Sequence, residues 1–252
     1  MNLQILPLQG VPFIKGGEDL GSVLIKVLEN SSVSLRDHDV VVVAQKIVSK
    51  AENRMVALAS VTPSPRAQQL AINVDKDPRL VELILRESIG IVRQKKGVLI
   101  TRHRLGFVAA NSGIDQSNVD HSNGEHALLL PIAPDRSAQK IRATLAEQTN
   151  SNIGVIISDS VNRPWRLGSV GIAIGVAHTA VLDDRRGDTD LFGRVLNITV
   201  SNRADSIATA ALLVMGETDE NIPVAIVRGL TPLDGLDGAH RGNRPVEEDL
   251  FQ

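Results

Sequence analysis

Apolar positions along the 252-residue chain fall into two periods, and each period marks a different element. From Glu18 to Glu29, Leu20, Val23, Leu24, Val27 and Leu28 recur at intervals of three and four, the stripe of an amphipathic helix. Ser64-Pro65 and Asp77-Pro78 each join a capping residue to proline at a first helical position, and Leu80, Leu83 and Ile84 line one face after the second. Ser137 to Gln148 predicts another helix, with Ile141 and Leu145 one turn apart. Asp205 to Met215 is small and apolar nearly all round, which predicts a buried helix. Asp39 to Ala44 and Ile153 to Ile157 are short β-branched runs, the pattern of strands covered on both faces. Gly97 to Thr101 and Gly106 to Ala110 flank a turn and predict a hairpin; Val195 to Val200 and Pro223 to Val227 complete the strands. Helices and strands alternate unevenly, so the expected fold class is α+β, with mixed sheets, a hairpin and packed helices. No internal repeat interrupts this reading. Residues 1–252 are expected to form one domain, with an irregular, glycine-punctuated tail from about Thr231 that a partner could order.

Composition narrows the chemistry. The chain has no Cys and no Tyr, four Phe and one Trp. Thiol nucleophiles, disulfides, thiolate metal sites and tyrosine acids are thereby excluded, and stacking platforms for single-stranded nucleic acid are disfavoured. Twenty-seven basic side chains against 29 acidic ones leave a net charge of −2, not the basic excess of a nucleic-acid binder. Met1 to Pro12 lacks a basic start and an apolar stretch, and runs such as Val40 to Ala44 are far too short to span a membrane. A cytoplasmic, soluble protein without membrane or nucleic-acid partners is expected, which makes the glycosylation-like triplets at Asn30 and Asn197 moot.

Familiar motifs are absent. No stretch supplies a P-loop, and Gly168, Gly171 and Gly175 are wrongly spaced for a Rossmann turn. Arg186-Gly187-Asp188 matches an adhesion triplet in letters alone. His121 and His126, five apart in a polar segment, read as solvated loop histidines rather than a zinc pair.

Four polar segments interrupt or end strands: Ala44 to Lys50, Asn111 to Asn118, Ser158 to Ser160, and Gly216 to Glu220. Each has a plain structural alternative. Asp159 can cap a helix, Asp115 and Asn118 can form a turn, and Lys46 and Lys50 can lie on a solvated helix face. Glu217 to Glu220 can be a helix end, although acids there oppose the helix dipole. Together they read differently. Asp115, Asp159 and Glu217 are hard oxygen donors of the kind that hold Mg²⁺ or Mn²⁺, and the Ser160 hydroxyl can join them. Lys46 and Lys50 suit a polyphosphate. Arg163 and Arg166, either side of Pro164-Trp165, suit phosphate or carboxylate. The residues point to a metal-dependent enzyme of nucleotide or phosphate chemistry without a P-loop.

At these residues the sequence resembles the coenzyme F-420:L-glutamate ligases. The resemblance rests on Leu8 to Ile14, Val43 to Ala51, Asn111 to Asn118, Ile157 to Ser160 with Arg163 to Arg166, and Met215 to Glu217, and runs from about Leu8 to Leu230. It implies an unusual α+β ligase fold, a homodimer, and a GTP-dependent ligase that adds L-glutamate, then a further γ-linked glutamate, to the deazaflavin coenzyme. The GTP contacts it implies are Val11, Pro12, Phe13, Ile14, Gln45, Lys46, Lys50, Asn118, Met215, Gly216, Glu217, Thr218, Asp219, Glu220, Asn221 and Ile222. The implied metal ligands are Asp115, Asp159, Ser160 and Glu217, for two Mg²⁺ or Mn²⁺ ions, with K⁺ as a further candidate. Lys46, Lys50, Arg163 and Arg166 are the expected catalytic residues. Ser160 stands where Thr is expected, and Ser112 where Ala is usual. The flavin-reductase domain that some members carry is not expected here. Two rival readings remain open at this point: a phosphotransferase or GTP phosphohydrolase acting on another acceptor, and a non-catalytic GTP-binding regulatory subunit.

Overall fold

A computed structural model describes residues 2–250. In chain order the elements are β1 (Gln4–Pro7), α1 (Leu20–Glu29), β2 (Val40–Ala44), α2 (Gln45–Ala51), β3 (Met55–Ala57), α3 (Pro65–Val74) and α4 (Pro78–Glu87). There follow β4 (Ser88–Lys95), β5 (Val98–His103), β6 (Val108–Ala110), β7 (His126–Leu128), α5 (Pro134–Thr149), β8 (Gly154–Asn162) and β9 (Ser169–Ala177). Last come β10 (Leu182–Asp184), β11 (Val200–Asn202), α6 (Arg203–Met215) and β12 (Val224–Arg228). The fold is α+β, as the pattern predicts.

The main sheet has five strands in the order β1-β12-β2-β8-β9, antiparallel except for the parallel pair β2 and β8. Both of its faces are covered. In β2, Val41 and Val43 join a cluster with α1 and α5, while Val40 and Val42 join one with α6 on the other side. That two-sided burial is why the strand reads as an unbroken valine run. Gly171 and Gly175 serve the same packing: a side chain at either would lie 2.6 and 2.5 Å from the backbone of α6 and α5 respectively. Their spacing belongs to helix packing, not to a dinucleotide turn.

A third hydrophobic cluster, built from α3, α4, β5 and β7, lies beside the sheet. Ser64 and Asp77 cap α3 and α4 by accepting from Ala67 N at 3.2 Å and Arg79 N at 2.8 Å. The predicted hairpin is β5 with β6. Glu87, at the end of α4, faces Arg54 at 3.0 Å, Arg104 at 3.1 Å and His103 at 3.5 Å. Arg54 follows α2 and donates to the Leu130 carbonyl at 2.9 Å, so this charged knot joins the third cluster to the sheet.

Three expectations need correction. Val195 to Val200 is not a strand: Val200 alone enters β11, and Val195 makes one isolated bridge with Thr189. Asp190 accepts from the backbone of Phe192 and Arg194 at 2.8 Å, so the polar turn wins over side chains that find no surface to pack on. Helix α6 is buried on one face, through Ala204, Ile207, Ala208 and Ala211, while Leu213 is exposed. The tail, irregular apart from two short 3₁₀ turns, orders against its own chain: Ala239 N donates to Asp135 at 2.9 Å, and Arg102 pairs with Asp249 at 3.0 Å.

Burial raises the Glu87 pKa, but His103, Arg54 and Arg104 outweigh it and bring the group to about 2. A depressed acid stabilises the fold above its ordinary pKa and loses that contribution as the pH falls towards its folded value. Glu87→Gln is expected to cost on the order of 3 kcal/mol in urea unfolding at pH 7, because it strands the facing guanidiniums. The loss of wild-type stability between about pH 4.5 and 2 should be shallower in the variant.

Candidate active site

The parallel register sets Ala44 of β2 beside Ser158 of β8. The chain turns from Ala44 straight into α2, whose first two residues, Gln45 and Lys46, therefore stand beside Asp159 and Ser160. Asp159 lies on a strand, so it caps no helix. Asp115 arrives from the third cluster through a backbone bridge to Leu128, with N–H···O distances of 3.0 and 2.8 Å. Before it, Asn111, Ser112 and Gly113 all have positive φ (53°, 53° and 65°). The buried Ser112 hydroxyl lies 2.7 Å from Thr101 Oγ1 and latches this turn. A side chain at Gly113 would meet Leu130 at 2.7 Å and Asp159 at 3.4 Å, so the glycine lets Asp159 sit against the turn.

The two carboxylates are held differently. Asp115 Oδ2 accepts from Gln45 Nε2 at 2.9 Å and from the Lys46 ammonium. Asp159 is buried, and its backbone neighbour Ser160 N donates to it at 2.9 Å. Burial first, and then the Asp115 charge, push the Asp159 carboxyl up to about 7 against the pull of Lys46. Ser160 Oγ donates to Glu217 at 3.0 Å. Lys50 Nζ donates to the Asn118 carbonyl at 2.9 Å, and Asn118 Nδ2 to the Thr218 carbonyl at 3.0 Å, which clasps the loop after Asp115 to the loop after α6. Burial and the Lys46 charge lower the Lys50 pKa.

These groups border a cavity of about 570 Å³. Its lining contains Pro12, Phe13, Ile14, Gln45, Lys46, Lys50, Asn118, Asp159, Ser160 and the whole stretch from Met215 to Ile222. Four expected site residues lie elsewhere. Val11 is a buried core residue, and Asp115 sits behind Lys46 rather than on the wall. Arg163 and Arg166 are exposed on the turn between β8 and β9. Sequence reasoning missed Val119, Asp120, Leu212 and Pro223 on the wall. Leu212 was within reach, since it sits one helical turn before Met215. His121 and His126 lie outside the cavity, His121 bonded to the Gln116 carbonyl at 2.9 Å.

Among the described residues, no three His, Asp or Glu side chains gather about one point. The acids fall instead into the coupled pair Asp115–Asp159 and the neighbouring Ser160–Glu217 link. A magnesium-type site needs one or two carboxylates and takes its remaining oxygens from phosphate and water. A buried acid whose ionisation is resisted by burial and by a second acid fits such a cation, which would offset both.

Residues 10–229 match the family described as F420-0:Gamma-glutamyl ligase. The chain belongs to that family. It is 42% identical to the coenzyme F420:L-glutamate ligase of Methanothermobacter thermautotrophicus, with 100% of both chains covered. It is also 42% identical to the Methanopyrus kandleri protein of the same name, over 99% of each chain. The Methanocaldococcus jannaschii protein of that name is 43% identical, over 96% of this chain and 94% of its own. As a member of this ligase family, the chain has its acids and lysines inside the matched residues.

The Asp159 shift carries a stability consequence. An acid with a raised pKa stabilises the fold below its unfolded pKa of about 3.8 and loses that contribution as the pH rises through about 7. With no divalent cation added, Asp159→Asn should melt several degrees higher than wild type at pH 8. The gap should close towards pH 4, as calorimetry at the two pH values would show.

Proposed function

We propose that the chain joins L-glutamate to the glutamate-free form of coenzyme F-420 at the expense of GTP, then adds a second glutamate through a γ-linkage. The observation that carries this reading is the paired acids and two lysines at one end of a cavity of about 570 Å³, in a chain of this family. That size suits a nucleotide.

A carboxylate is a poor acyl donor and has to be activated. An oxygen of the coenzyme's carboxylate attacks the γ-phosphorus of GTP, the bond to the β-phosphate oxygen breaks, and GDP leaves an acyl phosphate. The glutamate amine then attacks the acyl carbon, phosphate departs with the attacking oxygen, and the amine proton is lost. No nucleophile from the protein is needed, in keeping with the absence of Cys. Lys46 and Lys50 face the cavity and oppose phosphate charge as it shifts. Asp115, Asp159, Ser160 and Glu217 would hold the Mg²⁺ or Mn²⁺ ions, which supply further charge neutralisation when bound. Pro12 to Ile14, Gln45, Asn118 and Met215 to Ile222 would surround the nucleotide, and Arg163 and Arg166 would receive the acidic coenzyme or glutamate. A homodimer is supported by the exposed apolar side chains of Leu167, Leu191 and Phe192. A cytoplasmic location suits these substrates, and among the described residues no helix is long and apolar enough to cross a membrane.

Protein mixed with GTP, Mn²⁺, L-glutamate and glutamate-free coenzyme should yield a product heavier by one or two glutamates, and Asp159→Asn should yield none. With ¹⁸O in the coenzyme's carboxylate, one label should appear in the released phosphate. Unlabelled phosphate would overturn the acyl-phosphate route, and an unchanged coenzyme mass would overturn the ligase reading.

A further inference from the structure

Both ends of the Gln45 amide are committed, although the side chain is only 1% exposed. Its Nε2 donates to Asp115 Oδ2 at 2.9 Å. The same side chain also favours the ionised form of the neighbouring Asp159. Its Oε1 accepts from Ser49 Oγ at 2.9 Å. Ser49 lies one helical turn further along α2, is fully buried, and does not line the cavity.

The two ends of an amide differ little in shape but are opposite in hydrogen bonding. Turned one way, Gln45 offers its NH₂ to a pair of acids; turned the other, it sets a carbonyl oxygen against them. The Ser49 hydroxyl, donating to Oε1, satisfies the buried carbonyl only when the NH₂ points to the acids. Without that donor Oε1 is an unpaired buried acceptor, and the side chain gains by rotating away. Lys46 and the amide donate to the same Asp115 oxygen, the first as a charged donor and the second as a neutral one.

We infer that Ser49 is a positioning residue: acting through Gln45, it holds Asp115 and Asp159 in the arrangement that receives a divalent cation. The cation itself belongs to the function proposed above, and the inference rests on that reading. Partners one step removed from a metal's own ligands typically matter ten- to a hundredfold in affinity.

The test is Mn²⁺ alone, titrated into the full chain and followed by the electron paramagnetic resonance signal of the free ion. Wild type, Ser49→Ala, Ser49→Thr, Gln45→Ala and the Ser49→Ala/Gln45→Ala double variant are compared, with thermal melts to establish that each is folded. Ser49→Ala should weaken Mn²⁺ binding about tenfold, and Ser49→Thr, which keeps the hydroxyl, should restore it. The double variant should bind no more weakly than Gln45→Ala, because Ser49 has no route to the acids except through Gln45. Wild-type affinity in Ser49→Ala, or a double variant that loses the sum of the single losses, overturns the inference while leaving the cation site standing. No saturable binding by the wild type overturns the cation reading and the inference together. Should Ser49→Thr not fold, the comparison of the single and double alanine variants decides.

Discussion

The arrangement of this molecule depends on one pairing, the parallel alignment of β2 with β8. Within the five-stranded sheet it is the only parallel neighbour relation, and it brings the C-terminal ends of two strands to the same edge. Open sheets hold their ligands at such ends, because the chain must leave both strands there and the loops part. Here one strand leaves into α2, carrying Gln45, Lys46 and Lys50, and the other runs on through Asp159 and Ser160. An antiparallel pairing would have sent the lysines and the acid to opposite ends. The cavity follows from this juncture, closed on one side by the loop after α6 and on another by the segment that carries Asp115 and Asn118.

That juncture concentrates charge where the core can least solvate it. Asp159 is buried on a strand whose earlier residues Val155, Ile156 and Ile157 are apolar and fully buried, and Asp115 is near enough to resist its ionisation. Lys46, the Gln45 amide and the Ser160 N–H offset part of the cost. The left-handed turn at Asn111 to Gly113 adds local strain, accepted where a glycine and a buried Ser112–Thr101 hydrogen bond hold it. Local sacrifices of stability of this kind are what a preorganised binding site requires, and the charged knot around Glu87 shows the opposite case. There the acid is balanced by two guanidiniums and a histidine, and it serves cohesion.

Much of this was legible in the sequence because the signals were local. The valine run of β2, the Ser64-Pro65 and Asp77-Pro78 caps and the β5–β6 hairpin each state their structure within a few residues. The four polar segments were also legible as candidates, since ligand-type residues at strand ends are unusual. Their meeting in space was not, because the segments that carry Asp115, Asp159 and Glu217 border one cavity only through sheet order, a bridge to Leu128 and the Ser160–Glu217 hydrogen bond. Val195 to Val200 misled for a related reason: β-branched residues mark a strand only where a surface exists to receive them. Val11 shows that one residue of a motif can belong to the core while the next three, Pro12 to Ile14, line the cavity.

The poverty of aromatic residues finds its place in this picture. A planar ligand is commonly gripped by stacking, yet the cavity offers only Phe13, which is 83% exposed, alongside Ile14, Ile47, Leu212, Met215 and Ile222. Aliphatic walls bury a ring's faces through area alone and impose little orientation. Polar groups impose orientation, and here they cluster at the acid and lysine end. Under the proposed function, the coenzyme would be registered by its acidic tail, where bond formation occurs, while its ring rests on a forgiving surface. A ligase that must accept its own once-glutamylated product gains from that division, because the reacting carboxylate moves outward along the tail while the ring has room to shift with it.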